Sequence, residues 1–446
     1  MNTDAEKARN IITYINNNNF SNLNKSVKKD EFIQFNEKKV NNYSLHYEIV
    51  TAKGREDGSD PALLFVEYHV ENLGKKRSAD ETFIARFKKI FSEYNINEYW
   101  QSGRIKPMAQ GFAVYSKEGI SANDGEVVPK LEARLNDFFA DVDKNISKFL
   151  SWESQRPKLE LLKKSKQLIL TGAPGTGKTY TATELAKYWI EENNGTIEEN
   201  CCKVQFHSNY DYSDFIIGLK PHVVNGKVSF AWKDGIFKEF ANKALEEYKA
   251  NGDNAKPYIF IIDEINRADL SRVFGEVFSL LEEEYRYPNK ETGITLPNGE
   301  NFILPDNLYI IGTMNDIDRS VESMDFALRR RFSWYEVTAQ ESESIVASVI
   351  NGVEQTKLLA VMRTLNCHIG AENKPLNNIC LNLGDEYQLG GAYFLNFTKY
   401  KGLNNPEELL WKNHIAIILN EYLRGRKEKE QLLRLLEKEF YDTWNN

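Results

Sequence analysis

The sequence predicts an α/β fold: a doubly wound parallel sheet, followed by a small helical domain and preceded by an α+β domain. Three observations carry this expectation. Between Gln167 and about Val337, short β-rich runs alternate with helical patterns, as parallel strands joined by crossover helices require. A glycine-rich loop stands at the first junction between such a strand and such a helix. The last stretch, Glu341 to Asn446, reads mostly as helix.

In order, the β-rich runs are QLILT, leading to a helix from Tyr180; CKVQF; YIFIID, leading to a helix from Leu270; and NLYIIGT, leading to a helix from Val321. An active site is expected at the carboxyl ends of these strands. Residues 167–338 are therefore read as the nucleotide-binding α/β domain and 339–446 as a helical lid, clearest at Glu407 to Leu423 and Glu428 to Trp444. Residues 1–150 hold a polar patch (Asn16 to Asn19), strand-like runs at Tyr43 to Thr51, Ala62 to Val70 and Gly111 to Tyr115, and helical patterns at Asp80 to Tyr94 and Val128 to Leu150. Residues 151–166 are polar and basic and read as a linker. No internal repeat is visible.

At 446 residues, with 41% hydrophobic and 27% charged content, the chain can bury two or three separate cores. No apolar run approaches the roughly 20 residues that span a bilayer, and the first residues lack a basic region followed by an apolar stretch, so a cytoplasmic protein without membrane contact is expected. Cys201, Cys202, Cys367 and Cys380 form no C-x-x-C pair and read as core or surface thiols. The net charge of −8 argues against a broadly basic nucleic-acid binder. Residues 1–150 carry 22 basic and 22 acidic side chains, however, so the acidic excess lies beyond them and a local DNA-binding face there stays open.

The strongest chemical signal is Gly172, Ala173, Pro174, Gly175, Thr176, Gly177, Lys178 and Thr179, a complete G-x-x-x-x-G-K-[ST] between an apolar run and the helix that Tyr180 begins. Glycines let successive N–H groups point at phosphates, the helix presents its positive end, and Lys178 neutralises the β and γ oxygens. Thr179 is expected to offer its hydroxyl to magnesium. Farther on, Tyr258 to Asp263 is an apolar strand ending in the carboxylates Asp263 and Glu264, the Walker B arrangement. Asp263 would hold magnesium and Glu264 would orient or deprotonate the attacking water.

The next strand ends in Met314-Asn315, which resembles the sensor 1 position of AAA+ proteins, where an amide can donate to a γ-phosphate and accept from water. Arg329, Arg330 and Arg331 close the following helical segment. AAA+ proteins place arginines there to reach a neighbouring subunit's γ-phosphate, which requires a ring; a basic cap on a helix end is the plainer alternative.

Asp263 to Glu276 (DEINRADLSRVFGE), Met314 to Ser320 (MNDIDRS) and Ala327 to Phe332 (ALRRRF), with Phe206 to Phe215, Leu383 to Phe394 and Trp411 to Leu423, resemble the McrB family of AAA+ GTPases over about residues 167 to 423. The family's signature is usually M-N-T-A-D-R-S. Asp316 and Ile317 depart from it, so roles carry over to Asn315, Asp318 and Arg319 only. Arg267 matches an arginine implicated at the family's subunit interface, with a surface ion pair as the plainer reading. Gly390-Gly391-Ala392 stands where the family commonly shows Gly-His-Ser, which leaves contacts from the lid open.

The resemblance implies a magnesium-dependent, GTP-fuelled homo-hexameric ring that recognises or translocates DNA and drives a separate McrC-type nuclease in restriction or antiphage defence. GTP over ATP rests on the family alone, because no N-K-x-D guanine motif is present. A MoxR-like ATPase that remodels proteins is the alternative. No nuclease site is expected in this chain: the nearest set, Asp60 with Glu67-Tyr68-His69, lacks the lysine of an E-x-K. In the family the N-terminal domain recognises the target. Tyr43, Tyr47, Tyr68, Tyr94, Tyr99, Trp100 and Tyr115 are candidate base-stacking groups, and Lys75, Lys76, Arg77, Arg86, Lys88, Lys89, Arg104 and Lys106 candidate phosphate contacts. Aromatics at strand spacing are more often core, and Lys-rich helix faces are more often solvated.

Overall fold

The computed structural model describes residues 4–17, 25–28, 32–40, 43–51, 62–72, 81–92, 95–99, 110–115, 119–224, 227–317, 329–370 and 372–446. The chain divides into two compact units, Met1–Glu153 and Ser154–Asn446.

In the first unit, β1 (Lys25–Lys28), β2 (Phe32–Val40), β3 (Tyr43–Thr51), β4 (Leu63–Asn72), β5 (Asn95–Tyr99) and β6 (Gln110–Tyr115) form an antiparallel sheet in the order β1-β2-β3-β4-β6-β5, and β7 (Ile120–Ser121) pairs with β4. Alternate residues of β4 point to opposite faces, and both faces are covered: Leu64, Val66 and Tyr68 on one, Phe65 and Glu67 on the other, all buried. The helix Asp4–Asn17 buries Ala8, Ile12 and Ile15, the spacing of one helical face. Tyr47 and Tyr68 are cross-strand partners with ring centroids 4.6 Å apart and are buried, so these two candidate aromatics belong to the core. Tyr94, Trp100, Asp60, Lys75, Lys76, Arg77, Arg104 and Lys106 lie outside the described residues, as do the side chains of Tyr43, Tyr99 and Tyr115.

Residues 151–166, expected as an irregular linker, are helical to Ser165: one helix runs Val127–Ser165, and the division between the units falls within its sequence. The polar composition hid an apolar stripe of Trp152, Leu159 and Leu162, all buried. Lys166, in the left-handed region at φ 65, ends it.

The second unit is built on β8 (Gln167–Thr171), β9 (Cys201–Gln205), β12 (Tyr258–Asp263), β15 (Leu308–Thr313) and β16 (Ser333–Glu336), all parallel, in the order β16-β8-β15-β12-β9. Period-2 alternation sends Leu168, Leu170, Ile259, Ile261 and Ile311 to one face, packed on Leu185, Ala186 and Trp189 of the helix Lys178–Glu192. Ile169, Phe260, Ile262 and Ile310 go to the other, packed on Phe215, Phe237, Phe240 and Phe274. The chain leaves β8 for the far edge at β9 and returns through β12 and β15, so the carboxyl ends of β8, β15 and β12 stand side by side at the switch in strand order.

Two features depart from plain strand-helix alternation. Between β9 and β12 a hairpin is inserted, β10 (Ile217–Val224) with β11 (Lys227–Asp234), and between β12 and β15 a shorter one, β13 (Ile294–Thr295) with β14 (Asn301–Phe302). The helix expected from Leu270 is α-helical only over Leu270–Phe274, because Gly275 at φ 53 turns the chain into a tighter 3-10 run, Gly275–Leu281. The helix expected from Val321 falls largely outside the described residues.

Residues 339–446 are helical, including Glu343–Val349, Gly352–Ile369, Gly391–Leu395, Pro406–Leu410 continued by a π turn (Trp411–Ile415) into Ala416–Tyr422, and Lys429–Asn445. They enclose a core of their own around Leu358, Leu365, Phe394, Trp411, Leu436 and Phe440. No described helix is long and apolar enough to cross a membrane.

Candidate active site

The loop after β8 closes only as glycine. Gly172, Gly175 and Gly177 have φ 132, 77 and 84, a region that side chains with a Cβ seldom enter. A Cβ at Gly172 would stand 2.4 Å from the Val337 carbonyl oxygen, at Gly175 2.8 Å from the Tyr393 ring, and at Gly177 2.3 Å from Ile345. Gly177 caps the helix Lys178–Glu192, so the free N–H groups of its first turn face the loop. Inside the loop, the buried Lys178 ammonium donates to the Gly172 and Ala173 carbonyl oxygens at 2.9 and 2.8 Å. Thr176, also buried, ties its hydroxyl to Ala173 O at 3.0 Å. Tyr180 is 47% exposed on the helix's first turn.

The ends of β12 and β15 supply the oxygen donors. Thr179 and Thr313 both donate a hydroxyl to Oδ1 of Asp263, at 2.7 and 2.5 Å. Thr313 in turn accepts the Glu264 backbone N–H at 3.3 Å. Lys203 of β9 brings its ammonium to 3.9 Å from Asp263 Oδ2. Glu264 sits in the left-handed region (φ 53, ψ 47), uncommon for a residue with a side chain, and the sharp turn carries its carboxylate toward β15. There Asn315 donates Nδ2 to Glu264 Oε1 at 3.0 Å. The turn is admitted by Gly312, where a Cβ would meet Ile265 at 2.8 Å. Oε2 of Glu264 is buried without a hydrogen bond among the described residues and lies 3.4 Å from Arg267 Nε.

Burial pushes the Lys178 ammonium down to about 8, against the pull of Asp316, Glu264 and Asp263. Asp316 accepts the Gly172 backbone N–H; burial raises its carboxyl, and Lys178 opposes that rise. The residues fit a nucleoside triphosphate with magnesium. The glycine cradle and helix N-terminus suit phosphates, and the Thr179 hydroxyl beside the Asp263 carboxylate forms a hard oxygen set of the kind that ion prefers.

The expected arginines are not equivalent. Arg330 is 68% exposed and reaches Glu282 Oε1 at 3.2 Å. Arg331 is only 14% exposed, holds the same oxygen at 2.5 Å and lies over the Phe278 ring at 4.7 Å. Arg267 is 46% exposed. Asp318 and Arg319 lie outside the described residues. Sequence reasoning brought Lys178, Thr179, Asp263, Glu264 and Asn315 together, and they meet. It passed over Thr313, whose position at a strand end beside Met314-Asn315 was the available signal, and it left the lid's contacts at 390–392 open. Gly390 donates its N–H to Pro174 O at 3.2 Å and Ala392 donates to Gly175 O at 2.9 Å, so the lid touches the phosphate loop through main chain.

The comparisons with known proteins agree with this geometry. Residues 167–332 match the AAA domain of the dynein-related subfamily. The chain is 40% identical over 287 residues to the type IV methyl-directed restriction enzyme EcoKMcrB subunit of Escherichia coli K12, covering 61% of this chain and 57% of that one. It is 29% identical over 212 residues to the type II restriction enzyme BsuMI component YdiS of Bacillus subtilis 168, covering 40% of this chain and 59% of the relative. A cytoplasmic dynein heavy chain of Eremothecium gossypii is 24% identical over 192 residues, 43% of this chain and 4% of the dynein. The chain thus spans less than two thirds of each of these relatives. With a complete phosphate loop, two strand-end carboxylates and an asparagine at the next strand end on a five-stranded parallel sheet of this order, the chain carries an AAA domain and is similar to the EcoKMcrB subunit.

Proposed function

We propose that this chain is a nucleotide-hydrolysing ring motor, favouring GTP, that acts on DNA and drives a separate McrC-type nuclease in a restriction or antiphage system. The observation that carries the reading is the pairing of two strand-end contacts beside the phosphate loop, Thr179 and Thr313 on Asp263 and Asn315 on Glu264. Similarity to two restriction-enzyme components supports the setting.

In this reading the loop N–H groups and Lys178 bind the phosphates. Thr179 and Asp263 hold magnesium, which when bound neutralises charge on the β- and γ-phosphate oxygens. Asn315 orients Glu264 so that Oε2, which has no hydrogen bond within the described chain, accepts a proton from the attacking water. Arg330 or Arg267, both accessible, reaches the γ-phosphate of the next subunit in a homo-hexamer. The first unit supplies DNA recognition; Lys88 and Lys89 are exposed on its helix Glu81–Ile90.

The test is steady-state hydrolysis of GTP and ATP side by side, with and without DNA and the product of the adjacent gene. GTP-selective turnover stimulated by that product is the expected result. ATP-selective turnover indifferent to both additions would replace this reading with a protein-remodelling ATPase of the MoxR type.

A further inference from the structure

Three carboxylates, Asp316, Glu264 and Asp263, act on the buried Lys178 ammonium, and Asp316 acts most strongly. The other two have a cation of their own: Lys203 stands 3.9 Å from Asp263 and Arg267 3.4 Å from Glu264. Asp316 forms no ion pair among the described residues, and the lid turns a further negative charge on it, Glu386. Lys178 is the one described charge that offsets it. Both groups are tied to the same residue. Asp316 accepts the Gly172 backbone N–H, and Lys178 donates to the Gly172 carbonyl oxygen at 2.9 Å. Met314 donates its N–H to Leu170 O at 3.0 Å, which fixes the end of β15 that leads to Asp316 against the strand that leads to the loop. A neutral oxygen would serve the Gly172 N–H equally as acceptor, so that hydrogen bond alone does not call for a charge. The position is marked in the sequence too, because Asp316 stands where the M-N-T-A-D-R-S signature has threonine.

We propose that the Asp316 carboxylate is a specificity-determining group of the nucleotide site, a fixed anion that disfavours metal-free nucleotide and admits the triphosphate together with its divalent ion; the proposal rests on the nucleotide-hydrolysing reading above. Phosphates in the loop compete with Asp316 for Lys178. Once they hold the ammonium, the carboxylate faces their charge without an offset. A divalent ion held by Thr179 and Asp263 cancels about half of the charge of a triphosphate, and with it a like share of the repulsion. Asp316 is exposed at its own surface, although its surroundings desolvate it enough to raise its carboxyl. Salt therefore reaches the interaction and weakens it. Support of the loop through Gly172 is the plainer role, and a neutral side chain at this position separates the two.

The test is equilibrium titration of the full chain with fluorescent, non-hydrolysable GTP and ATP analogues, in magnesium and again in EDTA, with the ratio of the two dissociation constants as the readout. Asp316→Asn keeps an acceptor for Gly172 and removes the charge. Its affinity in EDTA should rise while its affinity in magnesium changes less, so that the EDTA-to-magnesium ratio falls about five-fold or more below wild type. A melting curve confirms folding, and Asp316→Thr makes the same comparison if the first variant is unstable. The gap between wild type and variant should shrink in about 1 M salt, where the Debye length is roughly 3 Å. A ratio equal to that of wild type, whether or not the separate constants move, would overturn the proposal and leave Asp316 as loop support. So would a gap undiminished by salt, which belongs to a hydrogen bond and not to a charge. A wild-type chain that binds neither analogue in either condition would instead sink the nucleotide-hydrolysing reading itself.

Discussion

Asn315 donates its amide to Glu264 across the ends of two neighbouring strands, at 3.0 Å, and so fixes one carboxylate oxygen while the other stays free of hydrogen bonds among the described residues. Glu264→Gln keeps the shape and the Asn315 contact but removes the base. Turnover should fall by about 10²–10⁴-fold, the usual range for a general base, with nucleotide affinity unchanged. Phosphate release and titration with a fluorescent nucleotide check both halves; retained turnover would take Glu264 out of this role.

Arg330 and Arg331 share one acceptor and differ in burial, which separates their expected phenotypes. Arg330→Ala should abolish turnover in homogeneous assemblies and recover part of it when mixed with Glu264→Gln subunits, because a Glu264→Gln subunit then supplies its intact arginine to the site of an Arg330→Ala neighbour. Arg331→Ala should lower stability by roughly 1 kcal/mol through lost packing on Phe278 and Glu282, read as a shift in the unfolding midpoint. No recovery in any Arg330→Ala mixture would assign that side chain to its own subunit.

The sequence made the nucleotide site legible because its chemistry is local. Phosphate binding needs a fixed run of glycines, and the metal-side carboxylate sits at the end of an apolar strand whatever surrounds it. Thr313 has a sequence signal in its strand-end position, but its contact with Asp263 depends on β12 and β15 lying in register, Ile262 opposite Gly312, which the assembled sheet specifies. The hairpin β10–β11 was missed for a different reason. Its apolar alternation does not end in a core, and a search for strands that alternate with helices had no place for it. The helix through residues 151–166 was masked by lysines and glutamates that cover a thin apolar stripe. In the first unit, strand spacing could not tell a reader from a core residue, and burial assigns Tyr47 and Tyr68 to the core.

Gly390 packs its backbone against the phosphate loop: a Cβ there would stand 2.1 Å from Gly175 C and 2.2 Å from Thr176 N. Gly390→Ala should push the two segments apart, break the Pro174 and Gly175 contacts and weaken nucleotide binding by at least ten-fold. Equilibrium titration of the nucleotide, alongside a melting curve to confirm folding, measures it. Unchanged affinity would mean that the loop holds nucleotide without the lid.

Cys201 is the thiol with the clearest pH signature. Burial pushes it up to about 12 and raises Cys202 as well, so both stay protonated and unreactive near neutral pH. Iodoacetamide at pH 8 should modify Cys201 on the order of 10²-fold more slowly in the folded protein than in denaturant, since the thiolate is the attacking species. Rapid labelling of the native chain would show that the β9 edge opens.

The lid hydrogen-bonds the phosphate loop through peptide groups, two N–H donors on two carbonyls. Such a contact leaves almost no trace in a sequence. It is indifferent to what side chain stands at Ala392, so the departure from Gly-His-Ser at 390–392 need not silence the lid. At Gly390 it tolerates nothing beyond hydrogen. Evolution can therefore rewrite the letters around this joint and keep the joint, provided one position stays empty.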